Sequence, residues 1–430
     1  MVNAQHKAGR QAESPGGAGS DVLAHPPDLG LYVHFPWCMK KCPYCDFNSH
    51  PLHGELEEDA YIGAVAREFR ARQGRPGPGD AGRFDSLFFG GGTPSLFSAR
   101  ALGSLIETFA PCLRSGAEIT MEANPGAAER DDLGAYREAG INRLSIGAQS
   151  FSPALLERLG RIHGPDDTRA CVEAARRGGF DNINLDIMYG LPGQSAEQAL
   201  ADLEAATACS PDHLSWYQLT IEPRTEFARR PPRAMPGEEA ISDMEDAGRA
   251  MLGQAGFARY EISAYARPGA ACLHNLVYWT FGDYLGLGAG AHGKQGAATA
   301  RPSPARIGDT SAPTRTPDRA AAPAQDSPTP RQPTLRTRNP RQPRLYLQNP
   351  CGTETVQVCP TEVPGEFMMN ALRLAGGVER RLFETRTGLP WSTVEPVWEK
   401  TTGLGLTESG RIAATPHGLQ HLDTLVQYFL

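Results

Sequence analysis

The chain has 430 residues, of which 40 % are apolar, and it carries a formal charge of −7. Its pI is near 5.9 and its mean hydropathy is −0.39. The length predicts two domains plus linkers, the absence of a long apolar run argues against a membrane span, and the acidic balance gives no electrostatic reason to expect nucleic acid. Nine cysteines, an odd count spread over a long chain, do not form a secreted disulfide framework and place the protein in a reducing cytoplasm.

Residues 1–27 are rich in Gly, Ala, Gln and Ser and lack the apolar core of a secretory signal, which predicts a disordered leader. Residues 31–35 read as a first strand, followed by a helix over 56–73 and a second strand over 84–89. Further short apolar segments fall at 118–123, 143–147, 182–187 and 213–218. Helical stretches lie between them at 98–109, 130–139, 153–159, 168–177 and 196–208. Alternating strand and helix implies a parallel sheet with crossover helices. Six such strands fit a partial (β/α)6 barrel over residues 28–293, with ligand groups at the strands' C-terminal ends.

Those strand ends carry the chemistry. The first runs into LYVHFPWCMKKCPYCDFNSH, which spaces Cys38, Cys42 and Cys45 as C-x3-C-x2-C. Three thiolates so placed can each take one iron of a cubane cluster and leave the fourth iron open. A closed zinc site completed by Asp46, His34 or His50, a disulfide between two of the three, and buried spectator cysteines are the alternatives. The second strand ends in GGGTPSLF, where Gly90, Gly91 and Gly92 permit close backbone approach and Thr93 and Pro94 fix the exit. Glu122 and Asn124 end the third strand, Gln149 follows the fourth, and Asp186 lies on the fifth. Taken singly, such carboxylates cap helices. Together, carboxylates and an amide suit hydroxyls and an ammonium group.

Residues 260–265 lead into Cys272-Leu-His274-Asn-Leu-Val-Tyr278-Trp279. An imidazole beside two aromatic rings can ligate and pack a heme, although a hydrogen-bonded core histidine is the commoner arrangement. Residues 294–334 are Pro-, Ala-, Thr-, Ser- and Arg-rich with almost no large apolar side chain, which predicts a disordered insertion. Residues 335–430 form a smaller, mostly helical domain. It opens on an apolar-faced helix over 366–374 and has a small hairpin between 404–406 and 410–412.

The cysteine spacing with Tyr44 before the last cysteine resembles the signature of the radical S-adenosylmethionine enzymes. The longer string HFPWCMKKCPYCDFNSH is similar to their oxygen-independent coproporphyrinogen oxidase group and its heme-chaperone branch. The resemblance implies a [4Fe–4S] cluster on Cys38, Cys42 and Cys45 whose open iron is chelated by S-adenosylmethionine, which the cluster's electron cleaves to a deoxyadenosyl radical. It also implies cofactor contacts from Tyr32, Tyr44, Gly91, Gly92, Thr93, Glu122, Gln149, Asp186 and Arg161, the last in LGRIH. His274, Tyr278 and Trp279 would face heme, Cys272 would be a thiolate ligand or a core residue, and the C-terminal domain would be winged-helix-like. Ala264 stands where the group has asparagine. The group's decarboxylases carry a fourth cysteine two positions after the last ligand, where this chain has Phe47. The resemblance therefore implies a heme carrier serving recipient hemoproteins, membrane-associated respiratory ones among them, with an electron donor for the cluster and no nucleic acid. Radical decarboxylation of coproporphyrinogen III is the alternative.

Overall fold

A computed structural model describes residues 26–72, 83–126, 132–296 and 333–430. The leader apart from residues 26 and 27, the turn after the first helix and most of the insertion lie outside them. Six strands follow one another in space as they do in sequence: β1 (Leu29–Phe35), β2 (Phe84–Gly91), β3 (Leu113–Ala123), β4 (Arg143–Gln149), β5 (Ile183–Tyr189) and β6 (His213–Gln218). All five pairings between them are parallel. The crossovers run through α1 (Glu58–Arg72), α2 (Ala99–Phe109), α3 (Leu133–Glu138), α4 (Pro153–Arg158), α5 (Pro165–Arg177) and α6 (Ala196–Ala208). The alternating pattern of each strand explains the layering. On β5, Ile183, Leu185 and Ile187 join the buried core under the helices, while Asn184 and Asp186 point into a polar lumen and bond to each other. The same alternation on β1 sends Leu31, Val33 and Phe35 outward against Tyr61, Val65 and Phe69 of α1.

The sheet is larger than the sequence predicts. After α7 (Glu238–Gln254), the short strands β7 (Ala258–Glu261) and β8 (Ala264–Ala266) add antiparallel to the β6 edge. Helix α8 (Leu273–Trp279) precedes β9 (Asp283–Leu287), which pairs parallel to β1 as a seventh parallel strand. The sheet then continues antiparallel through β10 (His292–Gln295), β11 (Leu335–Arg338) and β12 (Glu354–Gln357). Two expected boundaries are corrected by this. Residues 335–357 extend the barrel's sheet and do not open the helical domain. Lys294 and Thr334 belong to structure, not to the insertion: Lys294 is buried with its ammonium 3.0 Å from Asp283 Oδ1, and the Val358 N–H donates to Thr334 O. A buried lysine persists only when so paired.

Gln295 and Leu335 are cross-strand partners, so the chain leaves and re-enters the sheet at adjacent points. Replacing residues 297–332 with a tight glycine-containing turn should therefore change stability by no more than about 2 kcal/mol, because closure entropy varies only logarithmically with loop length. A melting curve and iron content matching the full chain are the expected outcome. A cooperative loss of folding would show that the segment packs.

Helix α9 (Pro343–Gln348) connects β11 to β12, and the C-terminal helices α10 (Val363–Ala371), α11 (Arg380–Thr387), α12 (Glu395–Gly403), α13 (Pro416–Gln420) and α14 (Leu422–Gln427) follow. The helices from α10 onward enclose a second core of Phe367, Phe383, Trp398 and Leu425. The expected hairpin is displaced: Ile412 bridges to Val378, and Thr407 to Ala414.

Candidate functional site

The C-terminal ends of β1 to β6 surround a cavity of about 400 Å3. Cys38, Cys42 and Cys45 form one wall, and Glu122, Gln149, Arg161 and Asp186 form the others. Six strand ends, from the cysteine loop after β1 to Tyr217 and Gln218 of β6, thus deliver their polar groups to one space.

The cysteine loop is held by its own backbone and by its neighbours. The Cys45 N–H donates to Cys42 O at 3.1 Å, and Lys41 Nζ donates to the carbonyls of Phe47 and Ser49. The Phe227 N–H donates to Pro43 O at 3.0 Å, and Tyr44 packs against the Phe227 ring. Burial pushes the Cys38 and Cys45 thiols up, and the Lys41 ammonium draws Cys45 only partly back down. Arg161 supplies a fixed charge nearby, its guanidinium donating to Cys42 Sγ at 3.5 Å, to Asn124 Oδ1 at 2.6 Å and to Gly147 O at 2.8 Å. Among the described residues no three His, Cys, Asp or Glu side chains stand close enough to hold a single metal ion. A cubane, with one thiolate per iron, does not need them to converge on one point.

The glycine triplet has a structural cause that the sequence does not reveal. The Gly92 and Thr93 N–H groups donate to Phe35 O and Trp37 O, lashing the end of β2 to the start of the cysteine loop. A Cβ on Gly92 would sit 2.4 Å from Trp37 O, and Gly91 has φ +112° with the His34 ring against it. Close backbone approach is thus required by the protein itself, while Gly91 and Gly92 still border the cavity.

The carboxylates are poised for a cationic or hydroxylated ligand. Glu122 accepts the Gly91 N–H at 2.9 Å. Its carboxyl is pushed up to about 7 by burial and then by Asp186, against the pull of that N–H. Burial likewise raises Asp186, which accepts from Asn184 Nδ2 at 2.8 Å and Ser145 Oγ at 3.3 Å. Gln149 holds φ 67°, a conformation uncommon outside glycine, and accepts the Tyr217 hydroxyl at 2.9 Å. One residue that sequence reasoning missed stabilises this turn. Asp202 of α6 accepts from Ser150 Oγ, from the Phe151 N–H at 2.6 Å and from Gln194 Nε2. No motif marks it, because it sits on a helix whose buried face otherwise looks ordinary.

Not every predicted residue reaches the cavity. Thr93 lines an adjoining crevice and accepts from Asn124 Nδ2. Tyr32 lies deeper in the lumen, its hydroxyl bonded to His34 Nδ1. The heme-facing assignment of His274, Tyr278 and Trp279 finds no open site here. Helix α8 plugs the lower end of the lumen, its first N–H groups on Leu273 and His274 donating to Glu118. His274 is 2 % exposed. Its Nδ1 is bonded to Ser86 Oγ at 2.8 Å and its Nε2 to the Tyr278 hydroxyl at 3.0 Å, with Phe88 and Tyr32 stacked on it. Trp279 lies outside the plug with Arg373 over its ring at 4.5 Å. Leu276, on the other side of α8, packs into the C-terminal core. The string HNLVYW thus joins the lumen to the helical domain, and Cys272 is a core residue near Glu118.

A family model described as the Radical SAM superfamily matches residues 32–206. The chain is 42 % identical over 412 residues to the heme chaperone HemW of Escherichia coli (strain K12), spanning 94 % of this chain and 98 % of that protein. The chain belongs to the HemW family of the radical SAM superfamily. The HemW of Haemophilus influenzae is 39 % identical over the same shares. A mitochondrial radical S-adenosyl methionine domain-containing protein 1 of Mus musculus is 40 % identical over 286 residues, 64 % of this chain and 64 % of that protein. In fold, the chain resembles the coproporphyrinogen III oxidase HemN of Escherichia coli, with a TM-score of 0.70 at 22 % identity, covering 94 % and 90 % of the two chains. The alternating β–α core and the C-terminal helical region are therefore architecture that this chain shares with HemN. No helix among the described residues is long and apolar enough to cross a membrane.

Proposed function

We propose that the protein is a heme carrier that binds heme and passes it to hemoproteins, membrane-associated respiratory ones among them. Cys38, Cys42 and Cys45 hold a [4Fe–4S] cluster, and S-adenosylmethionine fills the cavity beside it. The observation that carries this reading is the 42 % identity to a heme chaperone across 94 % of the chain. Phe47, in place of a fourth cysteine, agrees with it. A cluster bound to the three thiolates supplies one-electron chemistry and an open iron. The chain's own groups then have definite tasks. Arg161 donates to a ligating sulfur and offsets the charge of the thiolates. Glu122 and Asp186 accept from an ammonium or from ribose hydroxyls, and Gln149 presents an amide from its fixed turn. Cys38, Cys42 and Cys45 are free thiols, which suits a reducing cytoplasm. An electron donor serves the cluster, and nucleic acid has no part.

The deciding experiment is anaerobic incubation of cluster-loaded protein with coproporphyrinogen III, reductant and S-adenosylmethionine, beside a heme titration of the same batch. Stoichiometric heme binding without vinyl product is expected. Robust vinyl-product formation would overturn the carrier reading in favour of the decarboxylase.

The pH dependence of cofactor binding follows from Glu122. With its carboxyl raised to about 7, its contribution to the stability of the empty protein is full below its unfolded value of 4.5 and is lost as pH rises through 7. A cationic cofactor restores a partner to the ionised form. Its affinity should therefore rise several-fold between pH 6 and pH 8, and Glu122→Gln should flatten that slope. Calorimetric titration of S-adenosylmethionine at three pH values checks this, and an unchanged slope in the variant would remove Glu122 from the site.

A further inference from the structure

Nine large apolar side chains are well exposed among the described residues, and four of them, Met39, Phe47, Ile162 and Ile221, stand on segments that border the cysteine cavity or its adjoining crevice. Exposed apolar side chains gathered on neighbouring segments mark binding sites. Met39 is 53 %, Phe47 59 %, Ile162 65 % and Ile221 38 % exposed.

They come from three segments that border the cavity. Met39 and Phe47 lie on the cysteine loop, Ile162 follows Arg161, and Ile221 stands between Thr220 and Glu222, which line the cavity wall. Met39, Ile162 and Lys40 share the side crevice, and Lys40 and Phe47 share the main opening, so the rim is continuous through Lys40. The loops abut closely: a Cβ on Gly160 would meet Pro43 Cδ at 2.9 Å and Lys40 Nζ at 3.9 Å.

Resting on the carrier reading, we propose that heme lies across this mouth, flat on the Met39–Phe47–Ile162–Ile221 rim, with a propionate on Lys40. The charge pattern selects a flat apolar ligand with an anionic edge. Lys41 is committed to the carbonyls of Phe47 and Ser49. Lys40 has no ion pair among the described residues and stands over the opening. Arg341, whose Nε donates to Asn48 Oδ1 at 3.3 Å, brings a second cation to the other side of the same loop. Asp46 and Glu222 also border the opening, so the anionic edge must turn away from them toward Lys40. Helix α8 offers no competing surface, because both nitrogens of His274 are engaged inside the lumen. In this placement cargo covers the cluster and the S-adenosylmethionine cavity, so the two ligands share one doorway and heme departs without disturbing the core.

The test is an anaerobic titration of hemin into full-length, cluster-loaded protein, followed by the Soret band, with wild type, the triple variant Met39→Ser/Phe47→Ser/Ile162→Ser, and His274→Ala. The triple variant should bind hemin at least about tenfold more weakly, since three apolar contacts are removed, while keeping its iron and its melting temperature. His274→Ala should stay within about threefold of wild type. In wild type, bound hemin should also protect Lys40 from amine acylation, a readout that does not depend on any variant folding. Unaltered hemin affinity in the triple variant, or full acylation of Lys40 under bound hemin, would overturn the placement and leave the rim as a surface for a protein partner. If wild type binds no hemin, the carrier reading falls as well.

Discussion

Anaerobically reconstituted protein should bind about four irons per chain, and the triple variant Cys38→Ala/Cys42→Ala/Cys45→Ala should bind essentially none. Among the described residues these are the only cysteines in the wall of the cavity, the other six lying away from it. Loss of metal should not bring loss of fold. The loop is fastened by the Lys41 ammonium on two carbonyls, by the Gly92 and Thr93 amides on Phe35 O and Trp37 O, and by the Phe227 amide on Pro43 O. None of these uses a sulfur. The variant should therefore melt as one cooperative unit near the metal-free wild-type temperature. Iron analysis together with the loss of the visible absorption of the cluster is the measurement. A variant that keeps a full cluster would show that other residues ligate it.

The parts of the molecule readable in advance are those whose signal is local. Alternation along 183–189 separates an outward Ile183, Leu185 and Ile187 from an inward Asn184 and Asp186, and parallel pairing then places Asp186 at the same end of the barrel as Cys38. Cys42, Glu122, Gln149 and Arg161 follow by the same logic, because sequential strands with crossover helices leave little freedom in topology. What could not be read depends on pairing across long separations. Strand β9 looks like a glycine-rich loop, and nothing in residues 335–357 states that they continue a sheet interrupted at Gln295. Asp202 acts through Ser150 and Gln194, contacts set only by how α6 packs. The glycine triplet was legible as a place of close approach, but not that the approaching group includes the carbonyls of Phe35 and Trp37.

His274→Ala is the substitution that best separates a ligand from a strut. If the imidazole were an axial heme ligand on an accessible surface, its removal would cost heme and little else. In this fold it is enclosed: Ser86 Oγ and the Tyr278 hydroxyl occupy its two nitrogens, and Phe88 and Tyr32 cover its faces. Truncation leaves a cavity at the base of the lumen and strips partners from two buried hydroxyls, which together should cost about 2–4 kcal/mol. The melting temperature should drop by several degrees for a chain of this size. The pH dependence gives a second signature. Burial pushes the His274 imidazole down to about 3, so its contribution to stability is present above its unfolded value of 6.5 and is lost as pH falls from there toward 3. The variant should lose that part of the acid sensitivity, with a shallower fall in stability below pH 6.5 than wild type. The damage should spread to the C-terminal helices, because Leu276 on the opposite side of α8 is built into their core, and amide exchange there should quicken. Unchanged thermal stability with abolished heme binding is the contrary result, and it would return the imidazole to the iron.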